Sequence, residues 1–406
     1  MKKTMKKMAA TGLTVGLVLT AALTGCGSKE QTEDYVFRIG TANGSLCLAP
    51  LHVAKDLQYF DDEFAEAGIQ YELVEIDLQQ AADLIASDQI DACVGLAGSL
   101  IPQVDSGLDI AFTAGLHTGC TKYYVAQDSD IEDIGDLKGK KIGVPGISDS
   151  SVVALKRKLA DEGVGVSTTN MEVELIVYNM TDLPLALENG AVDAVALHDP
   201  VATTAEEEYG FRKILDLTED EKFKNEYCCA VYVSTPVVNA HPEAAAAYTK
   251  ALMKASAYVQ ANPKEAAALQ IENNQCSGDL EHNAKLLQSY NYQPSVSAMK
   301  ETFQNACRDL LQIGDLQEGR DLEAFTEEHT AQFDNVPDSY VYHEDGTFTA
   351  ASLEEVQKAA GDQNVAAEVE KETKKDCCEA DIAEETKEEC CETETAVETE
   401  MHSCCE

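Results

Sequence analysis

The chain has 406 residues, 44% of them apolar and 6% aromatic, and a formal net charge of −43. That length accommodates two globular lobes with additional segments. The charge excludes nucleic acid and anionic lipid as partners held by a general electrostatic field, although a helix N-terminus can still bind a small anion locally.

The first residues read as a processing signal. Lys2, Lys3, Lys6 and Lys7 form a basic start, and the stretch from Met8 to Leu23 is mostly apolar or small. This run is short for a spanning helix. It ends in Leu23-Thr24-Gly25-Cys26, which matches the bacterial lipobox, whose cysteine is lipidated and becomes the mature N-terminus. Residues 1–25 are therefore expected to be a lipoprotein signal peptide, Cys26 the lipid-bearing residue, and 26–34 a tether. The expected location is the outer face of the bacterial cytoplasmic membrane, with membrane contact only through the lipid.

From Tyr35 onward short strand patterns alternate with amphipathic helices, an α/β signature. "YVFRIG" reads as a strand, and "LHVAKDLQYF" as a helix with Pro50 at its start. "IQYELVEI" is a second strand, "QQAADLIAS" a helix, and "DACVGLA" a buried strand. "DIAFTAGL" is a further strand, and His117-Thr118-Gly119-Cys120 is expected to form the turn just past its end. A second series begins near Gly135. "KKIGVPG" is a strand, "DSSVVALKRKLADEG" a helix with Gly163 at its end, "VELIVY" a strand and "DLPLALENG" a helix. "AVDAVALHDP" is a strand closing at His198-Asp199-Pro200. "YCCAVYVSTP" is a strand that returns to the first lobe, and the pattern from His241 to about Phe333 is helical. Residues 352–406 hold few large apolar side chains and many glutamates, so they are expected to be disordered.

The chain contains 14 cysteines, many for a protein outside the cytoplasm. Tail cysteines come in adjacent pairs: Cys377-Cys378, Cys390-Cys391 and Cys404-Cys405. Those of the body are Cys47, Cys93, Cys120, Cys228, Cys229, Cys276 and Cys307. Their irregular spacing does not suggest a disulfide framework. Cys93, Cys276 and Cys307 read as small buried hydrophobes. The tail pairs, with His402, suit transient soft-metal or thiol chemistry.

The order of these stretches resembles the solute receptors of the nitrate/sulfonate/taurine/thiamine-precursor group of ABC importers. The similarity runs from about Tyr35 to Phe333. It rests on "APLHVAKDLQYFDDEFAEAGIQYELVEI", "LIASDQIDACVGLAGSLIP", "DLKGKKIGVPGISDSS", "LENGAVDAVALHDPVAT" and "HPEAAAAYTKALMKASAYVQANPKEAA", in the family's order. The resemblance implies a two-lobed α/β periplasmic-binding-protein type II fold. Lobe one would be discontinuous (35–127 and 235–333) and lobe two would be 128–234, with two hinge crossings and an extension at 334–351. It also implies a non-catalytic, monomeric receptor that captures a small solute by closing its lobes and delivers it to a permease and its ATPase, without a cofactor. The ligand would be a sulfonate, a thiamine-type pyrimidine or a nitrogenous compound.

Ligands in such folds bind in the cleft at strand C-termini. That placement nominates Ser45, Cys47, Gly98, Ser99, His117, Thr118 and Cys120 from lobe one and Ser148, Ser150, Ser151, His198 and Asp199 from lobe two. Cys229 belongs to the return crossing. In sulfonate-type relatives the helix end at Ser148–Ser151 helps hold the anionic head; here Asp149 adds a negative charge there, or simply caps the helix. Where relatives often carry an aromatic residue, an acid and Pro, this chain has His198-Asp199-Pro200. Cys47, His117, Cys120, His198 and Cys228 together would suit a soft metal such as Zn or Cu, making a metal or metal-complex receptor the alternative. Cys47 with Cys120, or Cys120 with Cys228 or Cys229, could instead pair as a disulfide. "EYCCAVYVS" also resembles, in reduced form, the Cys-rich run of the iron-dependent eukaryotic thiamine-pyrimidine synthases. The full run is missing, so an enzyme is the remote alternative.

Overall fold

The structure, a computed structural model, describes residues 35–356 and 358. The expected signal peptide, the Cys26 lipid site, the tether and the Cys-pair tail beyond residue 358 lie outside the described residues. No helix among those described is long and apolar enough to cross a membrane.

Two five-stranded sheets organise the described chain. Its strands are β1 (Val36–Thr41), β2 (Gln70–Glu75), β3 (Ala92–Leu96), β4 (Ile110–Thr118), β5 (Thr121–Val125), β6 (Lys141–Val144), β7 (Val166–Ser167), β8 (Asn170–Met171), β9 (Glu174–Val177), β10 (Ala194–His198), β11 (Arg212–Asp216), β12 (Tyr227–Ser234), β13 (Ser339–Tyr342) and β14 (Phe348–Ala351). The first sheet has the order β2-β1-β3-β12-β4 and the second β11-β5-β10-β6-β9. In each, parallel strands joined by helical crossovers make up one side, and antiparallel strands complete the other. The chain leaves the first sheet after β4 and returns to it as β12, so lobe one is discontinuous and lobe two is built around the second sheet.

Alternation along the lobe-two strands sorts their side chains onto two faces. Tyr123 and Val125 of β5, with Ala194 and Ala196 of β10, pack with Val152, Leu155 and Leu159 of the helix Ser150–Asp161. The intervening Tyr124, Val195 and Leu197 pack with Leu183, Leu187 and Ala202 on the other face. In lobe one, Phe112 and Tyr232 meet Phe303 and Phe325 from the C-terminal helices. The long helix Pro242–Ala261 covers the helices Ala49–Asp56 and Tyr59–Ala67.

The run read as a strand ending at Leu116 is longer. β4 continues through His117 and Thr118, both fully buried, and only Gly119 and Cys120 form the connection to β5. The 334–351 segment contains the β13–β14 hairpin, turned at Asp345-Gly346 with Gly346 at φ 84°. Alternation flanking an Asp-Gly dipeptide is a hairpin signal.

The lobes are tied together by charge. Arg157 and Lys156 lie on the lobe-two helix Ser150–Asp161, and Lys222 lies just before β12. Arg157 Nε meets Asp309 at 2.8 Å and its Nη1 meets Glu226 at 2.6 Å. Lys222 meets the same Asp309 at 2.9 Å, and Lys156 pairs with Asp315. Asp309 and Asp315 belong to the lobe-one helix Val296–Ile313 and the turn after it. The Arg157 side chain is only 4% exposed, so losing a partner leaves a buried donor unmatched. Asp309→Ala is expected to lower unfolding free energy by about 1–3 kcal/mol; an unchanged urea midpoint would show that the cluster contributes nothing.

Candidate functional site

A cleft of about 760 Å³ opens between the two sheets. Lobe one contributes Ser45, Cys47 and Ser99, and Cys120 and Cys229 come from the crossings. Ser148, Asp149, His198 and Asp199 come from lobe two. Apolar walls are supplied by Leu48, Leu78 and Leu100 on one side and by Ile147, Met180 and Val201 on the other. Ile147, at 57% exposure, is an unusually open apolar side chain for a residue at a cleft wall.

The strand alternation that sorts the lobe-two core also sets the site's polar geometry. His198 follows Ala194 and Ala196 in phase, so it emerges on the face that carries the helix Ser150–Asp161. Thr121 lies opposite it across the β5–β10 ladder. The His198 ring is held at both nitrogens, with Thr121 Oγ1 2.8 Å from Nδ1 and Asp149 Oδ1 2.8 Å from Nε2. Asp149 is the N-cap of the helix, and the same Oδ1 accepts from the Ser151 amide at 2.8 Å and the Ser151 hydroxyl at 2.5 Å. Burial opposes charging of His198, but the facing Asp149 carboxylate outweighs it and raises the imidazole above its ordinary value. Burial likewise works against the Asp149 carboxylate, which His198 and the Ser151 donors nevertheless hold below the usual range. Each group therefore favours the charged form of the other across a 2.8 Å contact.

Out of phase with His198, Lys122 and Asp199 meet on the opposite side. Lys122 Nζ is 2.7 Å from Asp199 Oδ2, while Asp199 Oδ1 accepts from the Thr203 amide at 2.8 Å and the Thr203 hydroxyl at 2.7 Å. The Asp199 side chain is 0% exposed. Asp199 borders the cleft, and its carboxylate is engaged by Lys122 and by the start of the following helix.

Other nominated residues lie elsewhere. Gly98 is within the helix Ala97–Asp105 and faces Ser150 across the lobe boundary, where a Cβ would come within 3.2 Å of the Ser150 Cβ. Ser150 and Ser151 are turned inward, and Ser151 is fully buried. His117 lies behind the cleft wall, stacked on Tyr290 at 5.7 Å and tilted against Tyr292 at 4.9 Å. Thr118 is buried in the ladder, and its amide donates to the Asn291 carbonyl at 3.0 Å. Cys228 lies off the cleft, beside Gly119 and Tyr227.

Four thiols do converge. Cys120 Sγ is 3.2 Å from Cys228 Sγ. Cys120 and then Cys229 hydrogen-bond the Cys47 sulfur, with His117 adding to the effect, and these hold the Cys47 thiol well below its usual range against burial. Hydrogen bonding with Cys228 and Cys47 pushes Cys120 in the opposite direction. The expected metal set is nevertheless not assembled: His198 is engaged by Asp149 and Thr121, and among the described residues no three His, Cys, Asp or Glu side chains are placed to hold a metal ion.

The family model described as NMT1/THI5 like matches residues 47–266, more than half of the chain. The chain belongs to the NMT1/THI5-like family. Within reach of this NMT1/THI5-like chain is a Bacillus subtilis protein named as aliphatic sulfonates-binding, 26% identical over 64% of this chain and 76% of that protein. A Haemophilus influenzae protein named for thiamine biosynthesis is 27% identical over 50% of this chain and 63% of its own length. The crystal structure of the periplasmic aliphatic sulphonate binding protein SsuA from Escherichia coli covers 76% of this chain and 96% of its own, at 18% identity and a TM-score of 0.59. This chain thus has the two-lobed periplasmic-binding-protein fold that the sequence resemblance implies.

Several cleft residues of this NMT1/THI5-like chain escaped the sequence reading. Ile147 and Met180 at the cleft walls and Tyr232 at its base carry no motif. Thr121 and Lys122 carry no motif either, and the phase of β5 decides which of them meets His198. The His198–Asp149 pair has a signed pH signature. A histidine raised on folding contributes stability that is complete below its unfolded value of about 6.5 and lost as pH rises through the folded value. The melting-temperature advantage of wild type over His198→Gln is expected to shrink as pH rises from about 6 to about 9. A difference that stays constant over that range would mean that the imidazole is not charged in the fold.

Proposed function

We propose that this protein is a lipid-anchored, extracytoplasmic receptor of an ABC importer that closes its lobes around a small nitrogen-bearing organic solute and performs no chemistry on it. The receptor reading is supported by the family, by the fold and by the relative named for aliphatic sulfonates. Anchoring through Cys26 is supported by the lipobox alone. A hinged receptor of this kind couples binding energy to lobe closure and presents the closed form to the permease.

The ligand class rests on one observation, the occupation of the lobe-two helix N-terminus by Asp149. Free amides at a helix start attract anions. Here the Asp149 carboxylate takes the Ser151 amide and borders the cleft with His198. Among the described residues lining the cleft there is no Lys or Arg. A sulfonate would meet the Asp149 charge with only His198 to offset it. A solute carrying N–H donors, such as an aminopyrimidine or a small amine, would instead donate to Asp149 and to the serine hydroxyls, with its carbon frame against Leu48, Leu100 and Ile147.

A thermal-shift screen of alkanesulfonates, aminopyrimidines and small amines tests this reading. Hits are expected among the nitrogen compounds, with affinity falling about tenfold or more in Asp149→Asn, as for the loss of a charge-assisted hydrogen bond worth ~1.5–3 kcal/mol. Hits confined to sulfonates and strengthened by Asp149→Asn would reverse the assignment. Recovery of a chemically altered ligand from the incubated protein would point to an enzyme instead.

A further inference from the structure

The two chain crossings between the lobes touch through sulfur. The first crossing is Gly119–Cys120, between β4 and β5, and the second is the segment that enters β12. Cys120 Sγ and Cys228 Sγ are 3.2 Å apart and separated by 108 residues of chain.

Each crossing is irregular at the point of contact. Gly119 and Cys120 have φ of 86° and 80°. That region is natural for glycine but unusual for cysteine, and it persists in a fold only when the surroundings impose it. Gly119 is also pressed by Thr218, whose Oγ1 would lie 2.7 Å from a Cβ. On the other crossing, β12 pairs Tyr227 with Thr118 and Cys229 with His117, so Cys228 is the extra residue of a β-bulge. A bulge re-aims a side chain out of the regular alternation. Two local distortions thus bring together two thiols, and neither thiol belongs to the polar set around His198.

We propose that Cys120 and Cys228 form a disulfide site that staples the two hinge crossings together. The reaction is an exchange with a disulfide donor, either a small-molecule disulfide or a thiol–disulfide oxidoreductase. The donor's S–S bond breaks and its two sulfurs are reduced to thiols, taking up the protons of Cys120 and Cys228. Those two sulfurs are oxidised together, forming one S–S bond. Cys120 is fully buried and Cys228 only half-buried, in the pocket beside Gly119 and Tyr227, so a donor reaches the pair through Cys228. Lobe rotation requires both crossings to twist, so a covalent link between them restrains opening and closing. The link also closes a long loop in the unfolded chain, which stabilises the folded state. Cys47, whose sulfur hydrogen-bonds with Cys120, is the competing partner, since attack on Cys120 would shift the bond and free Cys228.

Purified full-length protein, equilibrated in glutathione buffers from reducing to oxidising, tests the proposal by mass spectrometry of the alkylated, non-reduced digest. The expected result is a Cys120–Cys228 link that survives in Cys47→Ser and Cys229→Ser and is absent from Cys120→Ser and Cys228→Ser. Oxidised wild type should melt several degrees above the reduced form, and Cys228→Ser should lose that difference. A link from Cys120 to Cys47 or to any tail cysteine, full alkylation of both thiols under oxidising conditions, or stoichiometric retention of a soft metal by the purified protein would overturn it. The assay needs no solute, so its failure would leave the receptor reading untouched.

Discussion

Asp149 sets the character of the cleft. One of its carboxylate oxygens accepts from the Ser151 amide, the Ser151 hydroxyl and the His198 ring. A helix N-terminus presents unsatisfied amides and a partial positive charge. In this chain the helix end is neutralised from within, and the carboxylate that neutralises it borders the cavity. His198 is then held at its other nitrogen by Thr121. The lobe-two wall is therefore preorganised, and it presents a carboxylate paired with an imidazole rather than an open anion cradle.

Strand periodicity carries that arrangement into the rest of lobe two. A period of two puts His198 and Thr121 on one face and Lys122 on the other. The Lys122–Asp199 pair there holds the start of the helix Val201–Tyr209. The two charge pairs stand on opposite faces of the sheet. Breaking either would leave a largely buried ion without its partner, a cost larger than the net worth of the pair itself. Across the cleft, Arg157, Lys156 and Lys222 bind the lobes through Asp309 and Asp315. The ion pair of Arg157 with Glu226 and the thiol of Cys228 line the same small pocket at the lobe boundary.

Much of this architecture was legible in the sequence. The alternation of strand and helix patterns, and the resemblance carried by five stretches in family order, lead to the two-lobed fold. The gathering of Cys47, Cys120 and Cys229 at the cleft follows from placing strand ends in that fold. His117 was misplaced because a polar pair after an apolar run reads as a turn. β4 is sequestered instead: Ser256 of the long helix Pro242–Ala261 donates to the Leu116 carbonyl, and Phe112, Gly115 and Thr118 are bridged to Thr330, Ser295 and Asn291. An edge strand sealed in this way buries its polar residues as readily as its apolar ones. The pairing of Asp199 was not legible for a related reason, since its partner Lys122 lies 77 residues away and no local pattern joins them.

The sequence by itself determined the fold class, the order of the elements, the acidic balance and the residue types available to the cleft, because periodicity, capping and turn chemistry act over a few residues. Tertiary structure alone decided which of those residues line the cleft, which are spent on one another, and which thiols touch. Those choices depend on contacts between segments tens to hundreds of residues apart, where a one-residue change in the phase of β5 would set Lys122 in place of Thr121 opposite His198.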